Sequence, residues 1–319
     1  MSFNILMVIQ SGRLSAEAVL ALASLREVGT DETRITLAEP QPGPLWATDP
    51  RISDPEIRSF LTERGARIVP LRSQHFGSSY PHGNKIEALN LLPADEPFIF
   101  FDTDTLFLND PLVLETDFTT PTASLRRSPS WPKIETEDER AQIWKSLYTR
   151  FGLEMPVDPA RSKSDWQRIP YYNAGWILGP CPHRFQSRFL RYATEIKARP
   201  GVELTGQSLD PWLDQIALPL AIAAEGGHTR GVTGLDEHIS CHYRTLPLLF
   251  AREDAHVVET VTRVAARNRT KKLLKRHPAF HQMLYRGGSA RVQALFAEGA
   301  PTDEADLRKR LRAAGLWMR

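Results

Sequence analysis

The 319-residue sequence predicts an α/β protein, with a mixed, mostly parallel sheet covered by helices on both faces and a helical C-terminal extension. Three observations carry that reading. Apolar runs of strand length alternate with segments of helical spacing as far as residue 101, and such alternation implies a parallel sheet buried on both sides. The run Phe98-Ile99-Phe100-Phe101 leads straight into Asp102-Thr103-Asp104, as a buried strand does when its C-terminal end opens on a ligand site. After residue 245 the chain turns helical and basic.

The elements follow in order. The start has no basic n-region and no cleavage site, so residues 4–10 are read as a first buried strand rather than a signal peptide. Leu14 to Val28 place Val19, Leu22, Ala23 and Leu25 at helical spacing, with Gly29 as the stop. Ile35 to Ala38 make a second strand, and the proline-rich stretch 39–51 a loop. Asp54-Pro55 open a helix to about Arg64, ended by Gly65, and Ala66 to Leu71 make a third strand. Asn84 to Leu92 form the helix that leads into the strand at 98–101.

Residues 125–168 break this rhythm. They are polar, hold Pro129, Pro132, Pro156 and Pro159, and carry Trp131, Trp144 and Trp166. A helix from about Glu137 to Arg150 is expected between two irregular pieces. A strand returns at Tyr171 to Leu178, helices follow over His183 to Ala198 and Pro211 to Ala224, and Gly231 to Tyr243 hold the last strand region. Asp210 suits the N-cap before Pro211 at the first helical position. The chain therefore divides into a main domain, 1–245, with 125–168 as an insertion, and a basic helical extension, 246–319.

A composition of 41% hydrophobic and 24% charged residues excludes a disordered chain. The longest apolar runs, such as Leu218 to Ala224, are too short to cross a bilayer. Cys181 and Cys241, with no C-x-x-C pair, support neither a disulfide framework nor a zinc site; they read as small buried hydrophobes in a cytosolic protein. The net charge of +2 hides an asymmetry, since residues 244–319 carry +9 and the rest −7. Seven basic residues and no acid lie between Arg263 and Arg276, flanked by Val261, Val264, Leu273 and Leu274. As one helix this segment would lie on an anionic membrane surface at the inner face, the alternative being a solvated helix face. Basicity without a recognition motif argues against nucleic acid.

Chemistry concentrates in four places. Asp102 and Asp104, two residues apart on a strand end, point the same way and repel unless a proton or a hard cation such as Mn²⁺ or Mg²⁺ lies between them. The plain alternative is an aspartate-rich turn. Beyond them come Y-Y-N-A-G-W-I-L-G at 171–179, L-D-P-W-L-D-Q-I-A-L at 209–218 and I-S-C-H-Y at 239–243. Strand alternation puts His238, Ser240 and His242 on one face, so His238 competes with His242 for any ligand role.

In this order the motifs resemble glycosyltransferases of the GT-A fold, most closely the glycogenin and lipopolysaccharide-galactosyltransferase-like group, over about residues 3–245. The resemblance implies a GT-A-like sheet and a metal-dependent transfer of a sugar from a nucleotide-diphosphate sugar, UDP favoured, to a hydroxyl acceptor. That acceptor would be an envelope glycan or glycolipid, with retention of configuration. It further implies Asp102, Asp104 and His242 as metal ligands. Gln10, Arg13, Asn84, Lys85, Asp102, Thr103 and Asn173 would line the donor, Gly12 would let the backbone approach it, and Gly175 would lie with Asn173 on the strand that lines the sugar pocket. Asp214 and Gln215 would stand at the reaction centre, with Asp210 one turn away as substitute for Asp214. The insertion would flank the acceptor, and its tryptophans, with Trp212, would offer faces to sugar rings or fill the core.

The sequence departs from the family after His242. Tyr243-Arg244-Thr245-Leu246-Pro247 stand where a glycine and a Lys-Pro-Trp-like element are usual, which makes Arg244 the candidate to neutralise phosphates. Two other readings compete. A haloacid-dehalogenase-like phosphohydrolase also uses D-x-D, but here Leu106 occupies the Thr or Val place and no glycine follows Asp104. A non-catalytic nucleotide-sugar-binding module is the other.

Overall fold

A strand with helices on both faces must be apolar on both sides, and the first strand is: β1 (Asn4–Val8) is buried at every position. The computed structural model describes residues 3–126, 128–227 and 232–318. The elements that follow are α1 (Arg13–Glu27), β2 (Ile35–Pro40), α2 (Pro55–Thr62), β3 (Arg67–Leu71), α3 (Asn84–Ala88), β4 (Phe98–Phe101), β5 (Thr105–Phe107) and β6 (Thr122–Leu125). Then come α4 (Glu137–Arg150), β7 (Tyr172–Gly179), α5 (Pro182–Ala198), α6 (Leu213–Ala224) and β8 (Ser240–His242). The C-terminal helices are α7 (Leu246–Arg252), α8 (Ala255–Ala266), α9 (Asn268–Leu274), α10 (Pro278–Tyr285), α11 (Gly288–Leu295) and α12 (Glu304–Ala313).

The main sheet runs β3-β2-β1-β4-β7-β6. β3, β2, β1 and β4 pair in parallel, and β7 alone is reversed, antiparallel to both β4 and β6. This is the mixed, mostly parallel sheet expected. β5 and β8 form a separate antiparallel ribbon whose register sets Thr105 opposite His242 and Leu106 opposite Cys241. The ribbon therefore carries His242 to the residue that follows Asp104. Helix starts obey local chemistry: Asp54 caps α2 with Pro55 in its first turn, and Thr136 caps α4.

Several expectations are corrected. The last strand is only Ser240–His242, because Leu235–Ile239 wind into a π-helical turn after Gly234 at φ 82. That turn is held by Trp176 Nε1 donating to Asp236 (2.8 Å) and Ser240 Oγ to Leu235 O (3.0 Å). Gly231, the expected start of this region, lies outside the described residues. α6 begins at Leu213 rather than Pro211, and Asp210 is not its cap. The Asp214 N–H of its first turn donates instead to the Tyr80 hydroxyl (2.9 Å), a partner 134 residues distant in sequence. Cys241 is buried, but Cys181 is half-buried and its sulfur accepts from Arg184 N at the start of α5. Trp131 and Trp144 are core, edge-to-face at 5.1 Å.

The extension is not one free helix but packs on the main domain. The basic run is divided between α8 and α9. Val261, Val264 and Leu274 are fully buried, and Leu273 nearly so, in one core with β1 and α1. Shallow insertion of these residues is thereby ruled out in this fold. The cations pair with acids of the main domain. Arg267 meets Glu27 (2.9 Å for Nη2), Arg269 meets Glu63, Lys272 meets Glu56 (3.0 Å), and Arg276 meets Asp54 and Glu56. The charge asymmetry of the sequence is an internal interface between α9 and the α1–α2 side of the sheet. Among the described residues no helix is long and apolar enough to cross a membrane.

Because Leu274 is core, Leu274→Ala should cost about 2–5 kcal/mol in urea unfolding, while Lys272→Ala at the exposed rim should be close to neutral. A Leu274→Ala variant as stable as the parent would mean that the extension does not complete the core.

Candidate active site

β4 delivers the aspartate pair. Four buried apolar residues fix the strand, and the chain then leaves the sheet so that Asp102 and Asp104 emerge half-buried at its C-terminal end. Asp102 N donates to Gly175 O (2.8 Å), tying this end to β7. Across the ribbon His242 brings Nε2 to 3.1 Å from Asp104 Oδ1 and 3.9 Å from Asp102 Oδ2. One ligand atom from each of the three lies within 4.8 Å of the others. Gly175 makes room, since a Cβ there would stand 2.2 Å from His242 Nδ1. Two carboxylate oxygens and an imidazole nitrogen form a donor set that suits Mn²⁺ or Mg²⁺, so the residues present fit the ion the resemblance implies.

The two aspartates differ. Burial opposes the charge on Asp104, but the His242 imidazole and its hydrogen bond, with Arg13 and Lys85, outweigh it and hold the carboxyl at about 2. Burial pushes Asp102 up, Lys85 pulls it down and the charge of Asp104 adds to the rise. A pair of close carboxylates parts in this way when they compete for the same positive charge.

Lys85, on α3, is the hub. Its buried ammonium lies 2.9 Å from Asp102 Oδ1 and 3.4 Å from Asp214 Oδ2, and it donates to Ala174 O (3.2 Å). Burial works against the charge, but Asp102 and Asp214 hold the group protonated above its ordinary range. Asp214, buried in the first turn of α6, also accepts from Tyr80 Oη (2.7 Å). Burial, then the charge of Asp214, raises the Tyr80 phenol, so it stays a hydrogen-bond donor.

Asp102, Asp104, His242, Lys85 and Asp214 line a cleft of about 660 Å³. Arg13, Lys85, Asn173, Trp212, Asp214 and Gln215 line it as the sequence predicts, and Arg244 does too. Arg244 is a non-glycine residue at φ 65, and its Nη1 donates to both carboxylate oxygens of Glu304 of α12 (2.7 Å to Oε1). Arg252 and Arg308 reach the same carboxylate. Thus Arg244 already has an internal anion in Glu304.

Four expected residues lie elsewhere. Thr103 is buried and donates to Glu17 (3.2 Å), away from the cleft. Asn84 is fully buried beneath it, accepting from Ser73 (3.2 Å). Gln10 is half-buried at the end of β1 and not in the cleft wall. Asp210 is exposed outside the cleft, carried off by the turn before α6, and so is no substitute for Asp214. His238, exposed on the π-helical turn, is not a rival to His242.

The sequence reading missed Tyr80, Arg126 and the face of α12 that carries Glu304, Arg308 and Arg312 into the cleft. Tyr80 had a faint signal in Tyr80-Pro81-His82-Gly83 just before α3. Glu304 and Arg308, spaced i,i+4, read only as a surface helix pair.

Residues 5–226 match a family described as the Rhodobacterales glycosyltransferase domain. None of the curated protein sequences matches the chain. Among solved structures, the galactosyltransferase LgtC with donor and acceptor sugar analogues is 15% identical. There 70% of this chain and 71% of that one are covered, at a TM-score of 0.40. The glycosyltransferase GlyE of Streptococcus pneumoniae is 13% identical over 70% of this chain and 44% of that one, TM-score 0.38. Mouse xyloside xylosyltransferase 1 is 13% identical over 75% and 90%, TM-score 0.37.

Gly175→Ala should displace the His242 ring and abolish any stabilisation of the protein by Mn²⁺ with UDP, read by thermal shift, while His238→Ala leaves it intact. Equal shifts in parent and Gly175→Ala would remove His242 from the candidate metal set.

Proposed function

The chain belongs to the Rhodobacterales glycosyltransferase domain family, and on that premise we propose that it moves a sugar from a nucleotide-diphosphate sugar to a hydroxyl acceptor with the help of a divalent cation. UDP is the favoured nucleotide, Mn²⁺ or Mg²⁺ the cation, and an envelope glycan or glycolipid the acceptor. The observation that carries this is the convergence of Asp102, Asp104 and His242 on one cleft, with Lys85 bridging Asp102 to Asp214. Neither rival explains that convergence. A phosphohydrolase has no use for a late histidine opposite its aspartates, and a mere binding module needs no buried carboxylate tied to them through Lys85.

Asp102, Asp104 and His242 would hold the ion, which when bound supplies Lewis-acid stabilisation of a diphosphate leaving group. Arg13 and Lys85 add fixed positive charge at that end. Asp214 supplies the negative charge nearest the sugar. Its oxygens are engaged by Tyr80 and Lys85, which suits it to stabilise positive charge at the reacting carbon rather than to take a proton. Gln215 accepts from Tyr171 Oη (3.4 Å) and Arg126 (3.3 Å), which orients its amide at the cleft wall. A front-face departure and attack, with retention of configuration, is the course we assign. Gly12, at φ 75 where α1 begins, leaves backbone N–H groups open to a ligand.

Asp104→Ala should abolish Mn²⁺-dependent UDP binding. Asp214→Asn should cut donor turnover by about 10²-fold or more with donor binding nearly unchanged. Binding of UDP with Mn²⁺ at parental strength in Asp104→Ala, or parental turnover in Asp214→Asn, would overturn the respective assignment.

A further inference from the structure

The two ends of the cleft differ in charge. At the β4 end Asp102, Asp104 and Asp214 face Arg13 and Lys85, an acidic excess suited to a cation. At the other wall stand Arg126, Arg244, Arg308 and Arg312, where the acids among the described lining residues are Asp303 and Glu304, and Arg252 also draws on Glu304. Arg126 stands out. It is 8% exposed, yet among the described residues no carboxylate pairs with it. Its polar contact is a long hydrogen bond from Nη1 to Gln215 (3.3 Å), its guanidinium lies 5.8 Å from the Tyr171 ring centroid, and its Nε has no hydrogen-bond partner. Arg312, on α12, is exposed and likewise has no described acid; it lies 5.3 Å from the Trp317 ring centroid. A buried guanidinium without an anion is costly, since desolvation is not offset by pairing. It persists where a ligand completes it.

We propose that this wall is an anion subsite for the acceptor, with Arg126 and Arg312 binding a phosphate or carboxylate carried by the acceptor glycan. The inference rests on the transferase reading and deepens it by naming the acceptor's chemical class as acidic. Placement separates this subsite from the donor diphosphate. Arg126 belongs to the segment after β6 and contacts Gln215 of α6, whereas the cations acting on Asp104 are His242, Arg13 and Lys85. Guanidinium groups favour this task because their planar fork matches both oxyanions. Selection of an acidic over a neutral acceptor then arises from the cost of leaving Arg126 unpaired beside a neutral sugar.

The test is a calorimetric titration of the full chain with glucose 6-phosphate, glucuronate and glucose as probes, with and without saturating UDP and Mn²⁺. One or both acidic probes should bind about tenfold or more tightly than glucose, as charge-assisted hydrogen bonds imply. The stronger of the two identifies phosphate or carboxylate as the group. The preference should persist with UDP and Mn²⁺ present and vanish in Arg126→Met. Arg312→Ala, an exposed change that cannot unfold the chain, should reduce it by several-fold. Three results overturn the proposal: equal binding of glucose and both acidic probes, displacement of the acidic probe by UDP with Mn²⁺, or an acid preference untouched in both variants. Failure of UDP to bind with Mn²⁺ would instead refute the transferase reading, and the acid preference of the free protein would still be decided by the two arginine variants.

Discussion

One buried ammonium organises the candidate site. Lys85 Nζ is shared by Asp102, Asp214 and the carbonyl of Ala174, which come from the end of β4, the start of α6 and the middle of β7. None of these segments is adjacent in sequence. A buried cation requires near-complete pairing, and each buried aspartate requires the cation, so the three segments are fixed relative to one another. Ala174 adopts φ 57, a left-handed conformation that costs about 1 kcal/mol or more for a residue with a Cβ. It is tolerated where the following residue, Gly175, must leave space for His242 and where its own carbonyl completes the Lys85 shell.

Charges also meet across long separations at the C-terminal extension. The basic C-terminal run is partly neutralised by Glu27, Asp54, Glu56 and Glu63 on α1 and α2 and their flanks, and its apolar residues close the core over α1. Having wrapped that face, the chain returns to the mouth of the cleft, where α12 presents Glu304, Arg308 and Arg312. The extension thus forms one wall of the site while completing the core. Exposed pairs of this kind are each weak; burial of Val261, Val264 and Leu274 supplies most of the adhesion.

Much of this was legible in the sequence, and the failures have common causes. Period and turn residues located every strand of the main sheet except Thr122–Leu125, which is too short to stand apart from the irregular segment after it. The carboxylates at 102 and 104 were legible because an apolar strand runs into them. His242 was separable from His238 only through the π-helical turn, which no alternation rule anticipates. Thr103, Asn84 and Asp210 were placed near the ligand by proximity in sequence, whereas burial and a turn point them elsewhere. Tyr80 capping α6 and Arg244 pairing with Glu304 are contacts between residues 134 and 60 positions apart, and a linear pattern carries no such information.

Lys85 couples Asp102 to Asp214. A double-mutant cycle of Lys85→Met and Asp214→Asn, read as unfolding free energy in urea without ligand, tests it directly. Removing the lysine strands a buried carboxylate at position 214, and the second change relieves that penalty. The account therefore predicts a coupling between about 0.5 and 3 kcal/mol, with the double variant more stable than the sum of the singles. Effects that add to within about 0.3–0.5 kcal/mol would mean that Lys85 and Asp214 act independently, and the account would fail.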